Sequence, residues 1–128
     1  MNTSTYQHIN QSLYVLLLAF RVTQPIRKQY NLSFNLLLCL IGMYLYTNLY
    51  NKDFSRTAIQ NFIHYYNNKS IYRFFDIYLN RGLIVISYNR GKFVYYKLTD
   101  SAISIINEIP EEYNRVLYQF CNKYNVVL

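Results

Sequence analysis

Glycine is scarce in this chain: three residues in 128, beside two prolines and no tryptophan. Phosphate-cradling loops and nucleophile elbows both need glycine at several fixed positions, so this count weighs against either. Histidine is scarcer still, with only His8 and His64, and neither lies near a cysteine or carboxylate cluster in sequence. A metal centre needs three or four converging ligands, and no such spacing is present. The two cysteines, Cys39 and Cys121, stand too far apart for a zinc or redox motif and read as buried thiols in a reducing cytosol. Only six residues are acidic. Glu111 and Glu112 adjoin, so they point to different faces of a helix and suit dipole capping better than acid–base work. No catalytic residue, cofactor or metal is therefore expected, and the chain does not read as an enzyme. No Lys or Arg precedes Arg21, so the basic start of a secretory signal is missing and a cytoplasmic location is expected.

What the chain has in quantity is apolar surface and positive charge. Hydrophobic residues make up 52% and charged ones 15%, too apolar for disorder and enough for one domain over 1–128. The net charge is +7, and it is uneven: eleven basic against three acidic residues lie up to Asp100, two against three after it. An anionic partner is implied for the first hundred residues, either nucleic acid or a membrane surface. Residues 29–51 carry no charge, yet the strictly apolar run from Leu36 to Tyr46 is only eleven residues long. A bilayer requires roughly 20, so a buried core helix is the better reading and no membrane partner is expected. Sixteen tyrosines and fifteen asparagines fit an AT-rich genome and carry no functional weight here.

Periodicity orders the elements. Ile9, Leu13, Leu16, Leu17 and Phe20 mark a first helix, which Pro25 limits to the region of Arg21. Ser33 caps a second helix to about Tyr50, apolar nearly all round. Asn51-Lys52-Asp53 is a loop, and Ser55 caps a third helix with Ala58, Ile59, Phe62 and Ile63 on one face. A turn at Asn67-Asn68 leads to a fourth helix from about Lys69 to Asn80. Its Ile71, Phe74, Phe75 and Tyr78 follow the i, i+3, i+4, i+7 spacing and must face the core, leaving Lys69, Tyr72, Arg73 and Asp76 on the other face. Gly82 sits where a left-handed C-cap residue belongs. Strands over 83–88 and 93–98 flank a turn at Asn89-Arg90-Gly91-Lys92. Thr99 or Asp100 caps a fifth helix to about Ile109. Pro110 opens a sixth that buries Val116, Leu117 and Phe120.

The predicted fold class is thus mainly α with a small β-hairpin: a helix-turn-helix over about 55–81, a wing over about 83–98, and terminal helices over about 6–21 and 110–124. The segments NNKSIYRFFDIYLNRGLI (67–84), NRGK (89–92) and YYKLTDSAISII (95–106) resemble, in this order, the winged helix of MarR-type bacterial transcription regulators. The resemblance covers roughly 33–106. It implies a bacterial regulator that binds double-stranded DNA as a homodimer paired through its terminal helices. It also implies a small anionic aromatic effector, which no residue pattern in this chain marks.

A recognition helix enters the major groove with its N-terminal half. Lys69, Ser70, Tyr72 and Arg73 lie where that demands, and Arg73 is the base-reading candidate because its fork can make two bonds to guanine. Asn68 and Ser70 suit phosphate, alongside the helix N-terminal amides. Arg90 and Lys92 at the wing tip would reach the minor groove or backbone, and Arg56 is a further phosphate candidate. In an isolated helix Lys69, Arg73 and Asp76 would read as a solvated face; the wing that follows favours DNA. Asp76 is expected in an ion pair with Arg73 or Arg81. Tyr72 can stack, bind phosphate or cover the core, and the sequence does not choose. Leu13, Leu16, Leu17 and Phe20 with Val116, Leu117 and Phe120 form the apolar faces of the expected dimer. The functional expectation is a sequence-specific DNA-binding regulator, a repressor of a mobile element or stress operon. The alternative is a winged-helix protein-interaction module without sequence-specific DNA binding.

Overall fold

The computed structural model describes residues 14, 17–63, 66–114 and 117. Its elements are helices α1 (Gln24–Tyr30), α2 (Phe34–Tyr50), α3 (Arg56–Ile63) and α4 (Asn68–Asn80), strands β1 (Ile84–Arg90) and β2 (Phe93–Leu98), and helix α5 (Asp100–Asn107). A helical stretch over 17–22 precedes α1, and another helical turn covers 111–114. The fold is mainly helical with one antiparallel hairpin, as the periodicity predicts. Most of the two expected terminal helices lies outside the described residues, and with it Leu13, Leu16, Val116, Phe120, His8, His64 and Cys121.

Helix α1 differs from the sequence reading. Pro25 does not merely end the preceding helix; it stands in the first turn of a new one, where its missing N–H would have no partner in any case. Thr23 makes the joint, its hydroxyl donating to the carbonyls of Ala19 (2.9 Å) and Phe20 (3.2 Å). Asn31 in the left-handed conformation then closes α1. Helix α2 departs at 95° to it, its first turn capped by the Ser33 hydroxyl, which accepts from the Leu36 N–H at 3.1 Å. As expected of a helix apolar all round, Leu36 to Met43 with Leu45 and Tyr46 are all buried. Among the described residues no single helix is long and apolar enough to cross a membrane. Cys39 lies at the centre of α2, and complete burial pushes its thiol up to about 12.

The helix-turn-helix packs on this central helix. Ser55 caps α3 by accepting from the Ala58 N–H at 3.1 Å, and Ile59, Phe62 and Ile63 turn inward. Ile71, Phe74, Phe75 and Tyr78 of α4 are buried, the predicted set, and the Tyr78 hydroxyl donates to the Leu36 carbonyl of α2. The end of α4 is a Schellman motif: Leu83 N–H reaches Tyr78 O (2.9 Å), Gly82 N–H reaches Leu79 O (3.2 Å), and Gly82 takes φ +69°. This motif turns the chain directly into the hairpin. Its last carbonyls also hold α5, because the Thr99 hydroxyl donates to Gly82 O at 2.8 Å while Thr99 caps the helix.

The hairpin is longer and its turn tighter than predicted. Arg90 pairs with Phe93, so only Gly91 and Lys92 connect the strands, with Gly91 at φ +62°. A register shift between Ile86 and Tyr88 makes Ser87 a bulge, and its hydroxyl donates to the Asp53 carboxylate. Phe54 adds a short third rung that the sequence does not announce. Its backbone exchanges hydrogen bonds with Tyr96 at 3.0 and 2.8 Å, and its ring meets Phe75 edge-on and lies nearly parallel to that of Tyr96. The loop before α3 is thereby sewn to the base of the wing. Pro110 serves as the carbonyl cap of the turn at 111–114, accepting from Tyr113 (2.9 Å), one position earlier than predicted.

Candidate nucleic-acid interface

Helix α4 owes its placement to its buried stripe, and that stripe forces the opposite flank outward. Lys69, Tyr72, Arg73 and Asp76 are exposed, Tyr72 by 54%, together with Asn68. The helix starts one residue earlier than the sequence reading, because Asn67 is not a turn residue but the N-cap. Its side-chain oxygen accepts from the Ser70 N–H at 2.8 Å. Asn68, Lys69 and Ser70 therefore form the first turn, with no acidic residue among them. The first-turn amides point out of the helix end and present partial positive charge, an arrangement suited to phosphate. The Asn67 cap is the functional residue that sequence reasoning missed. Its signal was present in the spacing of Asn67 to Ser70, but two adjacent asparagines read equally well as a turn.

The turn between α3 and α4 is braced from both sides. Gln60 of α3 donates through Nε2 to the Tyr66 carbonyl. Tyr66 in turn donates through its hydroxyl to Asn35 Oδ1 of α2 at 3.1 Å and meets Phe74 edge-on at 5.0 Å. These contacts orient α4 relative to the core without using its polar flank.

Arg56 stands apart from the other site residues. Its guanidinium lies 4.8 Å from the Tyr72 ring and 5.5 Å from those of Phe75 and Tyr96, and its Nη2 reaches Asp76 Oδ1 at 3.4 Å. Asp76 therefore pairs with Arg56, and neither of the expected partners holds it. Arg81 instead donates to the Asn31 carbonyl at 2.6 Å, tying the end of α4 to the end of α1. Arg73 stays on the exposed flank, its guanidinium 5.5 Å from the neighbouring Phe74 ring. The physical reason is geometric: α3 crosses α4 so that its first residue meets the second turn of α4, a tertiary proximity that sequence spacing does not encode. A guanidinium at 3.4 Å thus offsets part of the negative charge that Asp76 brings to this flank. Tyr72 is held from behind by a cation and keeps its outer face free for stacking or hydrogen bonding.

Arg90, Gly91 and Lys92 are exposed at the hairpin tip. The structure thus gathers Asn68, Lys69, Ser70, Tyr72 and Arg73 on one helix flank, puts Arg90 and Lys92 on the wing, and sets Arg56 behind Tyr72. Among the described residues no three His, Cys, Asp or Glu side chains converge as a metal site would require.

No family model matches the sequence, and no curated protein does. Solved structures do match the fold. A MarR family protein from Bacillus stearothermophilus aligns with a TM-score of 0.63 at 18% identity, covering 97% of this chain and 84% of that one. Wild-type MarR from E. coli in its apo form aligns with a TM-score of 0.62 at 11% identity, covering 93% and 84%. With α4 and its hairpin placed as described, the likeness establishes the architecture: this chain has the winged-helix fold of MarR-type proteins.

Proposed function

We propose that this protein is a bacterial, cytoplasmic transcription regulator that binds double-stranded DNA sequence-specifically and represses by occupying a promoter. One observation carries the reading. Helix α4 buries four large side chains and so must expose Lys69, Tyr72 and Arg73, while a hairpin tipped by Arg90 and Lys92 follows it directly. That is the shape of a recognition helix beside a wing. In the proposal Arg73 reads a base, Asn68, Lys69 and Ser70 hold phosphate around the helix end, and the wing grips the adjacent groove. Arg56 acts by positioning Tyr72.

Reading two half-sites one helical turn apart calls for a twofold dimer. Tyr14, Leu17 and Phe20 leave 67%, 59% and 47% of their surface uncovered, which supports a partner subunit at the N-terminal segment. Leu117, by contrast, is already buried within the chain, so it belongs to the core and not to the dimer face.

Selection of bound sequences from random duplex DNA tests the proposal. Enrichment of an inverted repeat supports sequence reading and dimer symmetry together. Recovery of unenriched DNA removes sequence specificity. Within the selected site, Arg73→Ala should cost about 1–3 kcal/mol and relax the preference at one base pair in each half.

A further inference from the structure

The hairpin has an outer face of which the duplex reading uses only Arg90. In β2, Tyr96 turns inward and is buried, so Phe93, Tyr95 and Lys97 share the outer side. Their partners across the ladder are Arg90, Tyr88 and Val85. Four of these six side chains are apolar or aromatic, and Phe93, Tyr88 and Val85 are 59%, 48% and 39% exposed. Tyr88 and Tyr95 stack on each other, 4.6 Å apart and tilted by only 12°, so the two rings form one flat-sided pillar. Phe93 stands two residues beyond Tyr95. That places its ring about 7 Å further along the same face of the strand. The same face carries Arg90 and Lys97; neither strand contains a carboxylate, and Asp53, which holds Ser87, comes from the loop before α3.

Exposed apolar surface on a wing needs an occupant, and the charge selects which. Exposed aromatic rings interleaved with cations match the stacking platforms that hold unpaired bases while the backbone follows the positive charge. We infer that the outer face of the hairpin, built from Tyr88, Tyr95 and Phe93 with Lys97, binds single-stranded nucleic acid. The rings lie apart from the α4 flank, although the face shares Arg90 with the wing of the duplex reading.

The test titrates the full chain with fluorescently labelled twelve-nucleotide oligothymidylate and oligouridylate, at low and physiological salt. Tyr88→Ala and Phe93→Ala should each weaken binding roughly five- to hundredfold, whereas Tyr88→Phe, which keeps the ring, should stay within about twofold. Circular dichroism confirms that each variant is folded, and Arg73→Ala should leave single-strand binding unchanged. Comparison of the two oligonucleotides shows whether DNA or RNA is preferred; binding of either with these variant effects upholds the inference. Absence of binding to both at low salt, or binding untouched by the two alanine substitutions, overturns it.

Discussion

Replacement of Arg56 by alanine separates two accounts of that residue. Its ion pair with Asp76 is long, at 3.4 Å, and the two side chains are 29% and 68% exposed. An exposed pair of that length contributes at most about 0.5 kcal/mol. The guanidinium over the Tyr72 ring at 4.8 Å, half-shielded by Phe75 and Tyr96, contributes on the order of 1 kcal/mol, and its alkyl stem adds some packing. Arg56→Ala should therefore lower stability by about 1.5 kcal/mol. At about 4 °C per kcal/mol for a chain of this size, the melting temperature falls by about 6 °C. Asp76→Asn should lower it by no more than about 2 °C, and Arg56→Lys should fall in between, because lysine keeps the charge but not the flat fork. Thermal melts followed by circular dichroism at moderate salt measure all three. Equal losses for Arg56→Ala and Asp76→Asn would refute the reasoning, since they would mean that the carboxylate, and not the aromatic clamp, holds the arginine.

Other perturbations follow from local geometry. Gly82→Ala meets no atom within 4 Å but forces an L side chain to φ +69°, so chemical denaturation should report a loss of about 1–2 kcal/mol with an unchanged m-value. Asn67→Ala removes the cap from α4 and should cost ~1 kcal/mol of stability, while Asn67→Ser or Asn67→Asp should retain most of it. The Cys39 thiol is raised from 9.0 to about 12 by burial, so the folded state keeps the neutral form where the unfolded chain ionises. The stability it lends is complete below about pH 9 and is lost as pH rises from there toward 12. In the native protein at pH 8 a thiol-specific reagent should leave Cys39 unmodified by mass spectrometry, and denaturant should make it reactive.

The sequence reading succeeded where structure is set within one or two turns of chain. The buried stripe of α4 is a repeat of three and four, and the caps at Ser33, Ser55 and Thr99 each act over three residues. Gly82 and Gly91 occupy the positive-φ positions assigned to them, because few other residues tolerate them. What escaped depends on contacts between distant segments. Phe54 joins Tyr96 across 42 positions, so the third rung of the sheet has no local trace. Asp76 could be matched with arginines on its own helix by spacing, but the crossing of α3 brought Arg56 nearer. The helix after Pro25 escapes for a different reason: proline both breaks the helix before it and favours the one it begins, and sequence pattern marks the break more strongly than the start. The helical flank and the wing tip were thus legible as a candidate site, whereas the device that braces Tyr72 was not.

The most direct test of the central claim is the affinity for a selected duplex measured against salt concentration, with the unaltered protein beside Arg73→Ala. If the polar flank of α4 and the wing lie on DNA, the logarithm of the binding constant falls steeply and linearly with the logarithm of salt, with a slope reflecting several neutralised phosphates. The variant should then bind more weakly at every salt concentration. An affinity indifferent to salt, or a variant that binds the selected site as tightly as the parent, would contradict the account.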